Sequence, residues 1–257
     1  MGIIGGQIGY SLLKTISPRK PTPNTADPYT PDTNLPYYFG DDFIDVIQGK
    51  TVIDFGCGRG FQAVEMAKRG AGKVIGLDIQ EKMLSIGVDL AKKSSVNDRC
   101  IFTNSTNELA DIIVSLDAFE HFSNPAVILQ TMYKLLKPTG KVLISFGPTW
   151  LHPNGGHLFS IFPWAHLVFT EEALIRWRSD FKSDGATRFS EVEGGLNQLT
   201  IYKFEQIVEK SPFTIELLDT EPIRGISILK HKLFREVGSS FVRCKLAISP
   251  DASGCPI

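Results

Sequence analysis

A glycine-rich turn between a predicted strand and a predicted helix carries the residues that most clearly point to chemistry. Residues 54–60 read DFGCGRG, so that Gly56, Gly58 and Gly60 are spaced two apart after the β-branched run 51–55. Glycine lets the backbone turn tightly and approach a ligand closely, because a Cβ would occupy that volume. Asp54, at the end of the strand, would repel a phosphate but suits a ligand with an amino group and a sulfonium cation. The turn therefore predicts a cofactor site unlike a pyrophosphate site.

A second carboxylate closes the next predicted strand. Asp78 ends the run KVIGLD, eighteen positions after Gly60. In nucleotide-binding α/β folds, a carboxylate at the tip of the adjacent strand accepts both ribose hydroxyls. A site with one carboxylate for an amine and one for a ribose would suit an adenosyl amino acid. Two alternatives are a plain strand–helix connection and a Rossmann oxidoreductase, which the G-x-G-x-G spacing and Asp54 disfavour.

Four segments carry a family resemblance. VIDFGCGRG, GLDIQEKML, SLDAFEHF and LLKPTGKVLISF, within about residues 50–146, resemble motifs of the class I S-adenosylmethionine-dependent methyltransferases, specifically the methyltransferase type 11 group. The resemblance implies S-adenosyl-L-methionine as cofactor and S-adenosyl-L-homocysteine as product. It implies that the three glycines wrap the methionine part, that Asp78 holds the ribose and that Ile79 packs on the adenine. Asn104 or Ser105 stands where the family usually has an aspartate that contacts the adenine amino group. The predicted cofactor-binding set is Asp54, Gly56, Cys57, Gly58, Gly60, Asp78, Ile79, Met83, Asn104, Ser105 and Leu116.

Three polar residues follow the predicted fourth strand, namely Asp117, Glu120 and His121. On one helical turn their side chains would share a face. The favoured interpretation is that Glu120 and His121 orient this segment and line the cofactor pocket. The alternative is a hard-cation site of two carboxylates and an imidazole, which draws on a resemblance to the Glu-x-x-Glu-His segment of ubiquinone-pathway O-methyltransferases. We expect no metal cofactor, and these three residues are the candidates if a divalent metal is used.

Histidines are the candidates for a general base, which methyl transfer needs only when the acceptor must lose a proton. His152, His157 and His166 lie in the aromatic-rich stretch 147–198, and imidazole accepts a proton near neutral pH. We predict His157 as the first catalytic candidate, because two glycines precede it. His152 is the second, and His121 is also a candidate. The alternative for each is a packed ring that binds a backbone carbonyl.

The segment LFSIFPWAHLVF, residues 158–169, is unusually apolar for a loop. We predict that it roofs an apolar pocket, so that the acceptor is a small apolar or aromatic molecule, with O-methylation favoured. Methylation at N or C of a small molecule or a lipid-like acceptor is one alternative, and a non-catalytic S-adenosylmethionine-binding module is another. Contact of residues 158–169 with a membrane surface is a further alternative, since Trp and Phe favour interfaces.

The elements that must position these residues alternate along the chain. Strand patterns at 51–55, 73–77, 100–103, 111–116 and 141–146 are separated by helix patterns at 61–69, 81–93 and 126–136. A helix at 200–210 and strands at 213–218 and 241–248 follow. The pattern predicts an α/β, Rossmann-like class I methyltransferase fold: a mostly parallel seven-stranded sheet with helices on both faces and an inserted cap.

Composition sets the remaining expectations. Hydrophobic content of 42% with 21% charged residues is typical of a globular protein, and a net charge of -1 disfavours a nucleic-acid partner. We divide the chain into an N-terminal arm or linker (1–36) and a methyltransferase domain (37–257), with residues 147–198 as the substrate cap. The four cysteines form no CxxC pair, and neither a membrane span nor a signal peptide is evident. We expect a cytoplasmic monomer or homodimer with a small-molecule acceptor.

Overall fold

A computed structural model describes residues 2–18, 35–192, 194–250 and 252. Across these residues seven strands form one sheet in the order β3-β2-β1-β4-β5-β7-β6. The strands are β1 (Thr51–Phe55), β2 (Lys73–Leu77), β3 (Cys100–Thr103), β4 (Ala110–Leu116), β5 (Leu136–Phe146), β6 (Phe213–Pro222) and β7 (Ser239–Ile248). The helices are α1 (Gly6–Ile16), α2 (Leu35–Phe39), α3 (Phe43–Ile47), α4 (Phe61–Lys68), α5 (Glu81–Lys93), α6 (Pro125–Lys134), α7 (Ala165–Val168), α8 (Glu171–Ser179), α9 (Ile201–Glu209) and α10 (Arg235–Gly238).

Strands β1 to β5 pair in parallel, and β7 runs antiparallel between β5 and β6. This is the predicted fold: β2 and β3 lie on one side of β1, and β4 and β5 lie on the other, so the strand order switches at β1. In such sheets ligands bind outside the carboxyl ends of the strands at the switch point. The glycine turn after β1 and the segment after β4 meet at that edge.

The two faces of the sheet are both covered, as the β-branched strand sequences require. Val52 lies in one apolar cluster with helices α3 and α4, and its neighbour Ile53 lies in the other with α6 and α9. Helix α9 begins as predicted, because Thr200 Oγ1 accepts a hydrogen bond from the backbone N–H of Lys203 at 3.1 Å. Strand β5 is longer than predicted: residues 137–140, expected to separate a helix from the strand, are part of it.

One aromatic ring fixes the distance between the glycine turn, β2 and α5. A Cβ placed on Gly60, Gly76 or Gly87 would lie 2.3, 2.5 or 2.6 Å from the ring of Phe102. These three positions therefore need glycine so that the Phe102 ring can fit between them. Gly87 stands inside helix α5, where glycine otherwise costs helical stability, and the ring explains its presence.

The N-terminal region is more ordered than an extended arm. Residues 6–16 form α1, whose Leu13 is fully buried against the cap, and Tyr10 donates a hydrogen bond to Asp180. The proline-rich part of the predicted linker lies largely outside the described residues. None of the helices among the described residues is long and apolar enough to span a membrane.

The apolar segment 158–169 forms the core of the cap, which corrects the prediction that it roofs a pocket. Phe159 and Phe169 are almost completely buried and pack with Trp150, Trp177 and Phe189. The sequence pattern was misleading because the segment folds into short helical turns that direct its large side chains inward. Trp164 is its exposed aromatic side chain, at 42%.

Candidate functional site

A cavity of about 300 Å³ opens at the carboxyl ends of β1 and β4. Its lining residues come from the glycine turn, the first turn of α4, the start of α5 and the end of β4. They are Asp54, Gly56, Cys57, Gly58, Arg59, Phe61, Gln62, Gln80, Met83, Leu116 and Asp117. Six of the eleven predicted cofactor residues are in this set, so the structure brings the core of the prediction together.

The glycine turn is held by hydrogen bonds and by a backbone that favours glycine. The backbone N–H groups of Gly56 and Cys57 donate to the carbonyl oxygen of Leu77 at 2.8 and 2.9 Å, which ties the turn to the end of β2. Gly56, Gly58 and Gly60 have φ values of +81°, +49° and +78°. A Cβ on Gly58 would meet no atom within 4 Å, so this position leaves space for a ligand beside the backbone.

The carboxylate of Asp54 lies at the buried end of this cavity. The side chain is 2% exposed, and its Oδ2 has no hydrogen-bond partner among the described residues. Burial, with the charge of Asp78, raises the pKa of Asp54 to about 7. A buried carboxylate oxygen without a partner is costly, and a cationic amino group would satisfy it. Asp54 and the space beside Gly58 therefore fit S-adenosylmethionine.

Asp78 shapes the turn. Its Oδ2 accepts a hydrogen bond from the backbone N–H of Gly58 at 2.9 Å, and its Oδ1 accepts one from Gln80 N–H at 2.8 Å. Asp78 is outside the cavity lining, so its role at the ribose stays a prediction. The bonds to Asp78 nevertheless show why a carboxylate at this strand end helps to form the turn.

The other predicted cofactor residues are outside the cavity lining. Ile79 is 91% exposed, Asn104 and Ser105 are exposed and bonded to each other, and Gly60 packs on Phe102. The predicted contacts of Ile79 and of Asn104 or Ser105 with adenine stay predictions, as does the predicted contact of Gly60 with the methionine part. Cys57 is buried, and burial raises the pKa of its thiol, so the thiol stays protonated at neutral pH.

Five residues of the cavity lining are missing from the predicted cofactor-binding set, although all lie within the sequence motifs or directly after them. They are Arg59, Phe61, Gln62, Gln80 and Asp117. Arg59 to Gln62 complete the turn and begin α4, where the backbone N–H groups at a helix start face a ligand. Asp117, a metal candidate in the sequence, has a left-handed backbone with φ +47°. Strain of this kind in a residue other than glycine is typical of functional sites.

The three metal candidates do not form a metal site. Glu120 Oε1 accepts a hydrogen bond from the backbone N–H of Gly147 at 3.1 Å, whereas His121 Nδ1 donates to the carbonyl oxygen of Gly195 at 2.8 Å. No cluster of three or more potential metal ligands occurs in the part of the chain that the structure describes. Burial raises the pKa of Glu120 to about 7. The bond to Gly147 shows that Glu120 orients the segment after β4 against β5.

Two of the candidate bases are neighbours. The ring centroids of His121 and His157 are 5.4 Å apart, and the ring planes meet at 66°, edge to face. Because a carbonyl oxygen only accepts, Nδ1 of His121 carries the hydrogen, and Nε2 holds the lone pair that can accept a proton. Burial, with the charge of His121, lowers the pKa of His157 to about 4, so His157 is neutral at pH 7 and a weak base.

His152 is a packed histidine, which corrects its prediction as a catalytic candidate. Its Nδ1 accepts a hydrogen bond from the backbone N–H of Asn154 at 2.9 Å, and its Nε2 lies 3.4 Å from Ser240 Oγ. The side chain is 6% exposed. The bond to Asn154 lies within the cap, and the contact with Ser240 links the cap to the start of β7, so both ring nitrogens have partners within the protein.

Comparisons with known proteins agree with this geometry. Residues 16–193, more than half of the chain, match the family model described as a methyltransferase domain. A Ubiquinone biosynthesis O-methyltransferase of Neisseria meningitidis is 36% identical over 104 residues, which cover 38% of this chain and 44% of that protein. A Ribosomal protein L11 methyltransferase of Photobacterium profundum is 36% identical over 98 residues, covering 38% of this chain and 33% of that protein. The match thus spans less than half the length of either curated relative.

A solved structure shows the fold. The S-adenosylmethionine dependent methyltransferase from Mesorhizobium loti superposes with a TM-score of 0.53 at 18% sequence identity, covering 78% of this chain and 91% of that chain. At 18% sequence identity, this similarity shows the fold alone.

Proposed function

Since this chain belongs to the class I S-adenosylmethionine-dependent methyltransferases, we propose that it transfers the methyl group of that cofactor to an oxygen atom of a small molecule. The observation that carries the proposal is the buried, unpartnered Oδ2 of Asp54 at the end of a glycine-lined cavity. That arrangement suits a cationic amino acid and disfavours a phosphate.

The cofactor supplies, when bound, a methyl group activated by attachment to a sulfonium. The chain's own residues bind and orient. Asp54 pairs with the amino group, and the backbone at Gly58 leaves room for the methionine part. Gly56 and Cys57, held by Leu77, keep the turn in the form that this requires. Much of the catalysis of such an in-line displacement comes from alignment of the reacting atoms.

His121 is the base in this proposal. Its Nδ1–H bond to Gly195 fixes the ring and leaves Nε2 free to take the proton of an acceptor hydroxyl. His157 ranks behind it, because a base with a pKa of about 4 accepts a proton weakly at neutral pH. We propose that the neutral ring of His157 instead packs against His121 and limits its movement.

The relatives support methylation without agreeing on the acceptor. One is named for O-methylation in ubiquinone biosynthesis and the other for a ribosomal protein. We favour a small molecule, because the cavities beside the site are a few hundred cubic ångströms in size. Since residues 158–169 are packed inside the cap, the sequence-based preference for an apolar acceptor loses its support. A cytoplasmic monomer or homodimer stays part of the proposal.

The proposal is tested by supplying S-adenosylmethionine with a tritiated methyl group and a panel of phenols, catechols and aliphatic alcohols. We expect label in at least one ether product, and loss of labelling in Asp54→Asn at limiting cofactor. Asp89→Asn is the matched control, since Asp89 is exposed on α5 and outside the cavity lining. Label found only on nitrogen or carbon acceptors would refute O-methylation, and no binding of cofactor would refute the whole proposal.

A further inference from the structure

A second cavity, of about 390 Å³, lies between the cap and the segment that follows β4. It is lined by His121, Ser123, Glu171, Arg188, Ser190, Leu196, Asn197, Gln198 and Lys203. Asn197 joins its two sides, because its Nδ2 donates to the carbonyl oxygens of Phe119 at 2.7 Å and Phe122 at 2.9 Å. The cavity is thus bounded on two sides by segments that hydrogen bonds hold together.

The lining is polar and carries more cationic than anionic charge among the described residues. Arg188 and Lys203 are its two cations, and Glu171 is its one carboxylate. The Oε1 of Glu171 already accepts a hydrogen bond from the backbone N–H of Phe189. Lys203 donates to the carbonyl oxygen of Asn197 at 3.2 Å, and an ammonium has three donors. The site is therefore suited to an anionic group.

Of the two cations in the lining, Arg188 is the better suited to a carboxylate. A guanidinium presents several N–H donors in a plane and binds a carboxylate through two parallel bonds. Arg188 is exposed at the mouth of the cavity. The nearby carboxylate of Glu191 interacts with the charge of Arg188. Its Oε2 accepts hydrogen bonds from the backbone N–H and the hydroxyl of Thr187.

The same segment of chain lines both cavities. Leu116 and Asp117 belong to the cofactor cavity, and His121 and Ser123 belong to the second one. His121 N–H donates to the carbonyl oxygen of Ala118 at 2.9 Å, which closes a turn. A turn brings its end Cα atoms within about 7 Å, and one more residue adds about 3.8 Å. His121 therefore lies within reach of the cofactor cavity for a small molecule.

We propose that this second cavity binds the methyl acceptor, and that the acceptor is a small hydroxylated organic acid. Its carboxylate pairs with Arg188 and Lys203, and its hydroxyl faces Nε2 of His121. The inference rests on the proposed function and adds the substrate class. In the reaction the hydroxyl proton passes to Nε2, and the acceptor oxygen forms a bond to the methyl carbon. The methyl–sulfur bond breaks and leaves its electron pair on sulfur, and the proton leaves the imidazole for solvent.

The test compares acids with uncharged partners of the same shape. Dihydroxybenzoate, hydroxycinnamate and a hydroxyalkanoate are each titrated calorimetrically against the corresponding amide, with the full chain saturated with S-adenosylhomocysteine and also without it. At least one acid should bind about tenfold or more tightly than its amide. Arg188→Gln should abolish that preference, and Lys203→Gln should reduce it. Lys182→Gln is the matched control, because it removes one positive charge from the cap outside the cavity lining.

Equal binding of every acid and its amide, or an acid preference that survives in both Arg188→Gln and Lys203→Gln, would overturn the inference. Failure of the proposed function gives a different result: S-adenosylhomocysteine then fails to bind, while the acid preference and its dependence on Arg188 persist. Methyl transfer to neutral phenols with no acid preference would instead uphold the proposed function and refute the acid-binding cavity.

Discussion

Lowering the pH from about 7.5 to about 6 should weaken binding of S-adenosylhomocysteine to this protein about eightfold. Burial, with the charge of Asp78, raises the pKa of Asp54 to about 7. The carboxylate is then about 76% ionised at the higher pH and about 9% ionised at the lower one, and apparent affinity scales with the competent fraction. Because the ligand's amino group is cationic, binding favours the ionised carboxylate and releases a proton at low pH.

The variant Asp54→Asn should remove this dependence. A hydrogen bond to a charged group contributes about 1.5–3 kcal/mol, so the loss at about pH 7.5 is about 10- to 140-fold in Kd. Thermal stability should move in the opposite direction. A raised pKa means that the folded state holds a proton which the unfolded state has released. Asp54 therefore destabilises the fold increasingly as the pH rises from about 4 through about 7. The variant should melt at a higher temperature than the wild type at about pH 8.

Isothermal titration calorimetry in two buffers of different ionisation enthalpy measures both the affinity and the protons released. S-adenosylhomocysteine is the ligand of choice, because it has the amino group and lacks the sulfonium. Asp89→Asn controls for loss of a remote carboxylate. A wild-type affinity that is constant over this pH range, or an Asp54→Asn affinity equal to that of the wild type, would refute the assignment of Asp54 to the amine.

Three further predictions follow from the geometry. Gly58→Ala should fold but bind S-adenosylhomocysteine at least about tenfold more weakly, because the added Cβ enters the open space beside the cavity that the ligand would occupy. Gly60→Ala should instead lower the melting temperature, because its Cβ would lie 2.3 Å from Phe102. Calorimetry and thermal melts separate the two effects, and equal affinity and equal melting temperature in both variants would contradict these assignments. His121→Asn should lower kcat about 10²- to 10⁴-fold without changing cofactor affinity. His152→Gln should lower the melting temperature and leave kcat nearly unchanged. Similar losses of kcat in both variants would remove His121 as the base. Incubation with a chelator should leave the turnover rate unchanged, and a loss restored by Mg²⁺ would restore the metal hypothesis.

The sequence predicted the sheet and the centre of the site because both depend on local patterns. The β-branched run before Asp54 and the spacing of the glycines determine a strand and a turn within a few residues of each other. Helix α5 was predicted with its observed bounds, since its amphipathic pattern is strong over thirteen residues. Such features need no knowledge of distant contacts.

The cap was harder to interpret because its structure depends on contacts far apart in the chain. The apolar side chains of residues 158–169 pack in one cluster with Leu13 and Phe189, which are distant in the sequence. No local pattern distinguishes such a core segment from the roof of a pocket. For the same reason the positions of His121 and His157 beside each other could not be predicted. Gly195 and Asn197, which hold the segment after β4, are more than seventy residues from their partners.

Hydrogen–deuterium exchange with S-adenosylmethionine tests the central claim most directly, because it locates the cofactor on the chain. Saturating cofactor should slow exchange in peptides that cover residues 54–62 and 116–117, and NAD should leave exchange in them unchanged. Protection confined to other parts of the chain, or equal protection by NAD, would contradict the central claim.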